Sequence, residues 1–144
     1  MDPIHILLIE DNEGDIILTT EALTMGKIIK TITAIKDGKE AIDFLEKKHP
    51  YHNRQIPDLI LLDINLPKMN GHEVLKTIRA NNDIKHIPVI MFTTSSSEND
   101  ILQAYQNFAN CYLTKPSDAD DFLKIVLSIE NFWINYAQLS VKTQ

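Results

Sequence analysis

The chain has 144 residues, 44% of them hydrophobic, which suits one compact domain with a single core and is too short for two ordinary ones. A formal net charge of -6 without a Lys/Arg cluster argues against a nucleic-acid partner, and Cys111, the sole cysteine, rules out an intramolecular disulfide or a cysteine zinc cage. MDPIHILLIEDNEGD has no positively charged leader, and no apolar run approaches the roughly 18 residues of a membrane span, so a soluble cytoplasmic protein without membrane contact is expected.

IHILLIE, from Ile4 to Glu10, reads as a buried strand stopped by the polar DNEGD. A helix is predicted over Asp15 to Met25, with Ile16, Ala22 and Leu23 near one face and Gly26 as its stop. IIKTITAI, residues 28–35, is the second strand, and after the turn KDG a second amphipathic helix runs from Lys39 to Lys48. HPYHNRQIP, with two prolines, is a long loop. DLILLD is the third strand, and a helix over Gly71 to Ala80 turns Val74, Leu75 and Ile78 inward. PVIMFTT is the fourth strand, SSSEND supplies cap candidates, and a fourth helix spans Ile101 to Phe108. CYLT is a short fifth strand, and from Asp118 a long helix runs through Ile125, Ile129 and Trp133 to about Gln138. Strands that are continuously apolar and alternate with helices predict a parallel sheet covered on both faces.

In such a sheet the strand carboxyl ends share one edge, where ligands bind. Glu10 and Asp11 end the first strand, Asp63 the third and Thr93 the fourth, while Lys115 follows the fifth. Each alone is an ordinary strand end, cap or loop charge; together they place three carboxylates, a hydroxyl and an ammonium on one rim. Converging carboxylates repel one another unless a cation intervenes, and Mg2+ suits oxygen ligands of this kind. Asp63 is then a candidate nucleophile toward phosphorus, with Lys115 and Thr93 placed to contact phosphoryl oxygens. Gly14, Gly26, Gly38 and Gly71 are the only glycines, so neither GxGxxG nor a P-loop is present. His49 and His52 lack a third ligand and read as a solvated loop, and Cys111 as a small buried hydrophobe.

The set ED at 10 and 11, LLDINLPKMNG, FTTS and YLTKP resembles the receiver domain of two-component response regulators, the CheY-like family, over Ile4 to about Ile129. EDNEGD, LPKMNG, the long loop before Asp58 and ANCYLTKP followed by SIENFW look closest to the single-domain regulators associated with bacterial phytochrome kinases. The resemblance implies a flavodoxin-like (βα)5 doubly wound sheet in the order 2-1-3-4-5, forming a single receiver domain whose C-terminal helix is extended. It implies that Asp63 accepts a phosphoryl group from a sensor histidine kinase, phytochrome-like in this subgroup. Asp11 would ligate Mg2+, Glu10 would lie nearby through water, and Asp63 and the main-chain carbonyl of Asn65 would complete the set. Lys115 would pair with the phosphoryl group and form a cis bond to Pro116. Thr93 and Tyr112 would be the switch pair. Thr94 replaces the Ala or Gly frequent in the family and would narrow access to the acyl phosphate.

Signalling would then pass through phosphorylation-dependent contact with a downstream protein, with only slow autodephosphorylation as chemistry. Phe132, Trp133 and Tyr136 would either cap the core or form a partner patch, and a homodimer is expected through the helix four, strand five, helix five face or the C-terminal helix. Two other functions fit the residues less well. A haloacid-dehalogenase-like phosphatase would need a second acid where Asn65 stands, and a phosphorylation-independent interaction module would have no use for the intact acid set.

Overall fold

A computed structural model describes residues 3–26, 28 and 30–140. The elements follow one another as β1 (Ile4–Ile9), α1 (Glu13–Thr24), β2 (Lys30–Ile35), α2 (Gly38–Leu45), β3 (Leu59–Leu62), α3 (Gly71–Ala80), β4 (Val89–Thr93), α4 (Glu98–Gln106), β5 (Cys111–Thr114) and α5 (Ala119–Ile129), then a π-helical segment, Glu130–Tyr136. The strands are parallel and ordered β2-β1-β3-β4-β5, as expected.

The central strands bury both faces, which is why they read as unbroken aliphatic runs. Leu7, Ile9, Ile60, Leu62, Val89 and Met91 point to one side, against Phe44 and Leu45 of α2 and Val74, Leu75 and Ile78 of α3. Ile6, Leu8, Leu59, Leu61, Ile90 and Phe92 point to the other, against Leu23 of α1 and Phe122, Val126 and Ile129 of α5. Each such side chain stabilises the fold by about 1.5–3 kcal/mol relative to its exposed state.

Every α-helix starts on a side-chain cap. Asn12, Asp37, Asn70, Ser97 and Asp118 each accept a hydrogen bond from the backbone N–H three residues on. The caps set α1 and α4 two or three residues ahead of the expected starts at Asp15 and Ile101, because a polar first turn carries no apolar periodicity. Part of the expected second strand, Ile29, lies outside the described residues. The long loop before β3 is tied down by Arg54, whose guanidinium donates to the carbonyls of Phe44 (3.1 Å) and Leu45 (2.7 Å) at the end of α2.

Two expectations are corrected. The C-terminal helix does not stay α-helical to Gln138: it turns π-helical at Glu130 and ends at Tyr136. The stripe Phe122, Val126, Ile129 would next bury residue 133, whereas the wider π turn buries Glu130 and Ile134 and leaves Trp133 partly covered. Glu130 is drawn in by Lys30, whose Nζ lies 2.5 Å from its Oε1, and it packs against Gly26, where a Cβ would meet that oxygen. Among the described residues the cis peptide bond is His49–Pro50, not Lys115–Pro116.

Candidate functional site

The site is a consequence of strand register. Ile9 of β1 pairs with Leu62 of β3, so the next residues on each strand, Glu10 and Asp63, emerge side by side. Adjacent strands lie about 4.8 Å apart, close enough for the two carboxylates to sense each other. β1 sits between β2 and β3, so the chain leaves it in opposite directions on its two flanks and a crevice opens at its carboxyl end. Asp11 adds a third carboxylate. Oxygens of Glu10, Asp11 and Asp63 all lie within 4.8 Å of one another, Glu10 and Asp63 buried and Asp11 exposed.

Lys115 reaches into this cluster from the end of β5, where its N–H donates to the carbonyl of Thr93 at 2.6 Å. Its Nζ is 3.3 Å from Asp63 Oδ2 and 2.9 Å from Asp15 Oδ2, and it hydrogen-bonds Glu10 Oε1. Asp63 Oδ1 accepts from the Ile64 N–H at 2.8 Å, which fixes its carboxylate plane. Burial pushes the Glu10 carboxyl up to about 7, the charge of Asp63 adds to the rise, and Lys115 works against it. Burial pulls the Lys115 ammonium down, but its bonds to Glu10 and Asp15 and the charge of Asp63 outweigh that and hold it above its ordinary value. Lys115 is therefore charged.

Gly71 allows the next element to close on the site. Its N–H donates to Ile64 O at 2.8 Å, and a Cβ here would lie 2.2 Å from Asp63 O, so only glycine lets α3 start against the aspartate's own backbone. Asn65, exposed, lies on the loop between them.

Thr93, the last residue of β4, is fully buried, and its Oγ1 accepts from the Ser95 N–H at 3.4 Å. Tyr112, partly buried against the core, donates its hydroxyl to Ser95 O at 2.8 Å. Thr94 is exposed beside them. The structure thus joins Glu10, Asp11, Asp63 and Lys115 in one cluster and ties Thr93, at the end of β4, and Tyr112, on β5, to Ser95 of the β4–α4 loop.

Sequence reasoning missed two features. Asp15 bonds Lys115 although it reads only as the start of a helix. Buried His72 bonds Asp100 Oδ1 through Nε2 at 3.0 Å, and Asp100 Oδ2 accepts from Ser95 Oγ at 2.6 Å. His72 sits in the first turn of α3, and nothing in the sequence around it signals the tie to Asp100. His49 and His52 are exposed and stacked, with ring centroids 6.4 Å apart, as a solvated loop would leave them.

The donor set fits a hard divalent cation: three carboxylate oxygens within reach of one centre, with mutual repulsion that such an ion relieves. Residues 6–127 match the model of the response regulator receiver domain. The response regulator Rcp1 of Synechocystis is 43% identical over 137 residues, 95% of this chain and 93% of its own length. The crystal structure of the phosphorylated cyanobacterial phytochrome response regulator RcpA is similar with a TM-score of 0.95 and 41% identity, covering 97% of this chain and 100% of that one. The Mn(2+)-bound form of Rcp1 is similar with a TM-score of 0.94 and 42% identity, over 96% of this chain and 100% of that one.

Proposed function

The chain belongs to the response regulator receiver domain family, and on that premise we propose that Asp63 is its phosphoacceptor, loaded by a sensor histidine kinase. The observation that carries this is the 3.3 Å approach of Lys115 Nζ to Asp63 Oδ2 inside the carboxylate cluster. A carboxylate oxygen of Asp63 attacks the phosphorus of a phosphohistidine. The P–O bond forms as the P–N bond breaks, and its electron pair returns to the imidazole nitrogen. Lys115 neutralises charge on the transferred group, and the buried setting strengthens that attraction. Asp11, Asp63 and the main-chain carbonyl of Asn65, with Glu10 through water, would hold Mg2+, which would supply Lewis-acid stabilisation of the phosphoryl oxygens. The Mn(2+)-bound form of Rcp1 supports a divalent ion here.

Thr93 and Tyr112 form the switch. Thr93 turns its hydroxyl toward the phosphoryl group, which draws on the Ser95 segment that Tyr112 also holds. Two packings of that loop then differ by little enough for phosphorylation to choose between them.

The description of RcpA as a phytochrome response regulator supports a phytochrome-like kinase as donor. The chain acts as a single receiver domain in the cytoplasm, without nucleic acid or membrane partners; among the described residues no helix is long and apolar enough to cross a membrane. Its output is contact with a downstream protein. Exposed Leu102, Tyr105, Leu127, Phe132 and Tyr136 supply apolar surface for a homodimer through α4, β5 and α5 or the C-terminal segment. It is not an enzyme beyond slow loss of its own phosphoryl group, since Asn65 stands where a dehalogenase-type phosphatase carries its general acid.

Incubation with Mg2+ and acetyl phosphate, followed by intact mass, tests the assignment. One added phosphoryl group on the wild type and none on Asp63→Ala is expected; equal labelling of the two overturns it.

A further inference from the structure

An ammonium has three hydrogens, and Lys115 spends all three on carboxylates: Glu10, Asp15 at 2.9 Å and Asp63 at 3.3 Å. A phosphoryl oxygen can take a Lys115 hydrogen only if one of these partners lets go. The three differ in what release costs. The Glu10 side chain is 3% accessible, so water replaces the lysine there less readily than at Asp15. Asp63 is the group that carries the phosphoryl, so its approach to Lys115 is carried over to the modified side chain. Asp15 stands on the first turn of α1 and its side chain is 24% accessible, so water can replace the lysine there at little cost.

We propose that Asp15 is a positioning residue that holds Lys115 in the unphosphorylated pocket and releases it when a phosphoryl group arrives, so that it sets how strongly the site favours the empty state. This rests on the phosphoacceptor reading of Asp63. Two effects act in the same direction. Asp15 competes with the phosphoryl group for one ammonium, and its own charge repels the incoming dianion. Its placement is enforced by the helix: the Asp15 N–H donates to the Asn12 cap at 3.0 Å, which aims the side chain across the rim toward β5 without using its carboxylate. An amide at this position therefore keeps the cap and the shape and removes only the charge.

The test uses fluoroberyllate, a phosphoryl mimic, titrated in the presence of Mg2+ and followed by fluorine NMR, on wild type, Asp15→Asn, Asp15→Ala and Asp15→Glu. The two neutral variants are expected to bind the mimic about twofold to fivefold more tightly, the span of a partly exposed ion pair, and to keep a chemically formed acyl phosphate longer by a similar factor. Asp15→Glu, whose carboxylate still reaches Lys115, is expected to behave like the wild type. Thermal melting is expected to fall by no more than a partly exposed ion pair contributes, whereas a purely structural role would lower stability without tightening mimic binding. Unchanged or weaker mimic binding in both neutral variants overturns the proposal while leaving Asp63 in place; a wild type that binds no fluoroberyllate overturns the phosphoacceptor reading itself.

Discussion

The Ser95 hydroxyl donates to Asp100 Oδ2 at 2.6 Å, which folds the β4–α4 loop back onto the first turn of the helix that follows it. The other oxygen of Asp100 is held by His72 on α3, so one carboxylate ties the Thr93-bearing loop to the helix that starts against Asp63. Any movement of Thr93 toward a phosphorylated Asp63 must strain or break this link.

Replacing Asp100 by Asn is expected to loosen the loop and to destabilise the fold at neutral pH by about 0.5–1.5 kcal/mol, the net range for a hydrogen bond at a side chain that is 27% accessible to water. The hydrogen bond from Ser95, and then that from His72, holds the Asp100 carboxyl below its usual value. A depressed folded-state pKa contributes stability that is present above the unfolded value of about 4 and lost as pH falls through the folded value. Urea midpoints of wild type and variant are therefore expected to converge below about pH 4. A gap that persists unchanged at low pH contradicts the assignment.

Gly71→Ala places a methyl 2.2 Å from Asp63 O and 2.7 Å from Ile64 Cα, both backbone atoms that cannot swing aside. Overpacking of this kind costs about 1–3 kcal/mol. The change is also expected to slow phosphorylation, because α3 can retreat only by shifting the strand end that carries Asp63. Equal rates and equal urea midpoints would show that the contact is slack.

Lys30 and Glu130 form an ion pair whose side chains are 4% and 6% accessible. Removing one partner leaves the other buried and uncompensated, so Glu130→Ala is expected to cost about 3–5 kcal/mol. The double variant Lys30→Met, Glu130→Leu is expected to recover most of that loss in chemical denaturation. If the single variant is as stable as the wild type, the pair is not what fixes the π-helical turn.

How much of this was legible in the sequence follows from which features are local. The strands and their order of appearance were, since Leu59–Leu62 and Val89–Thr93 are buried on both faces and read as solid apolar blocks. So was the convergence of Glu10, Asp11, Asp63 and Lys115, because parallel topology sends every strand end to one rim. Features decided by contacts between distant elements were not. The π turn at Glu130 depends on Lys30 and Gly26, about a hundred positions away in the chain, and periodicity within α5 carries no trace of them. Asp15 and Asp100 sit in helix first turns, where an acid is explained by the helix dipole alone, so their ties to Lys115 and Ser95 had no separate signal. Phe132, Trp133 and Tyr136 divide in a way composition does not foretell: Trp133 packs on the core while Phe132 and Tyr136 face outward.

Signalling by this receiver turns on one atom, the Asp63 carboxylate oxygen, becoming bonded to phosphorus. Protein phosphorylated in Mg2+ can be reduced with borohydride, which converts an acyl phosphate to an alcohol, and then digested and sequenced by mass spectrometry. The reduced residue is expected at Asp63, with no conversion when the cation is chelated before the phosphodonor is added. Reduction at Asp11, Asp15 or Asp58 instead, or full conversion without a divalent ion, would contradict it.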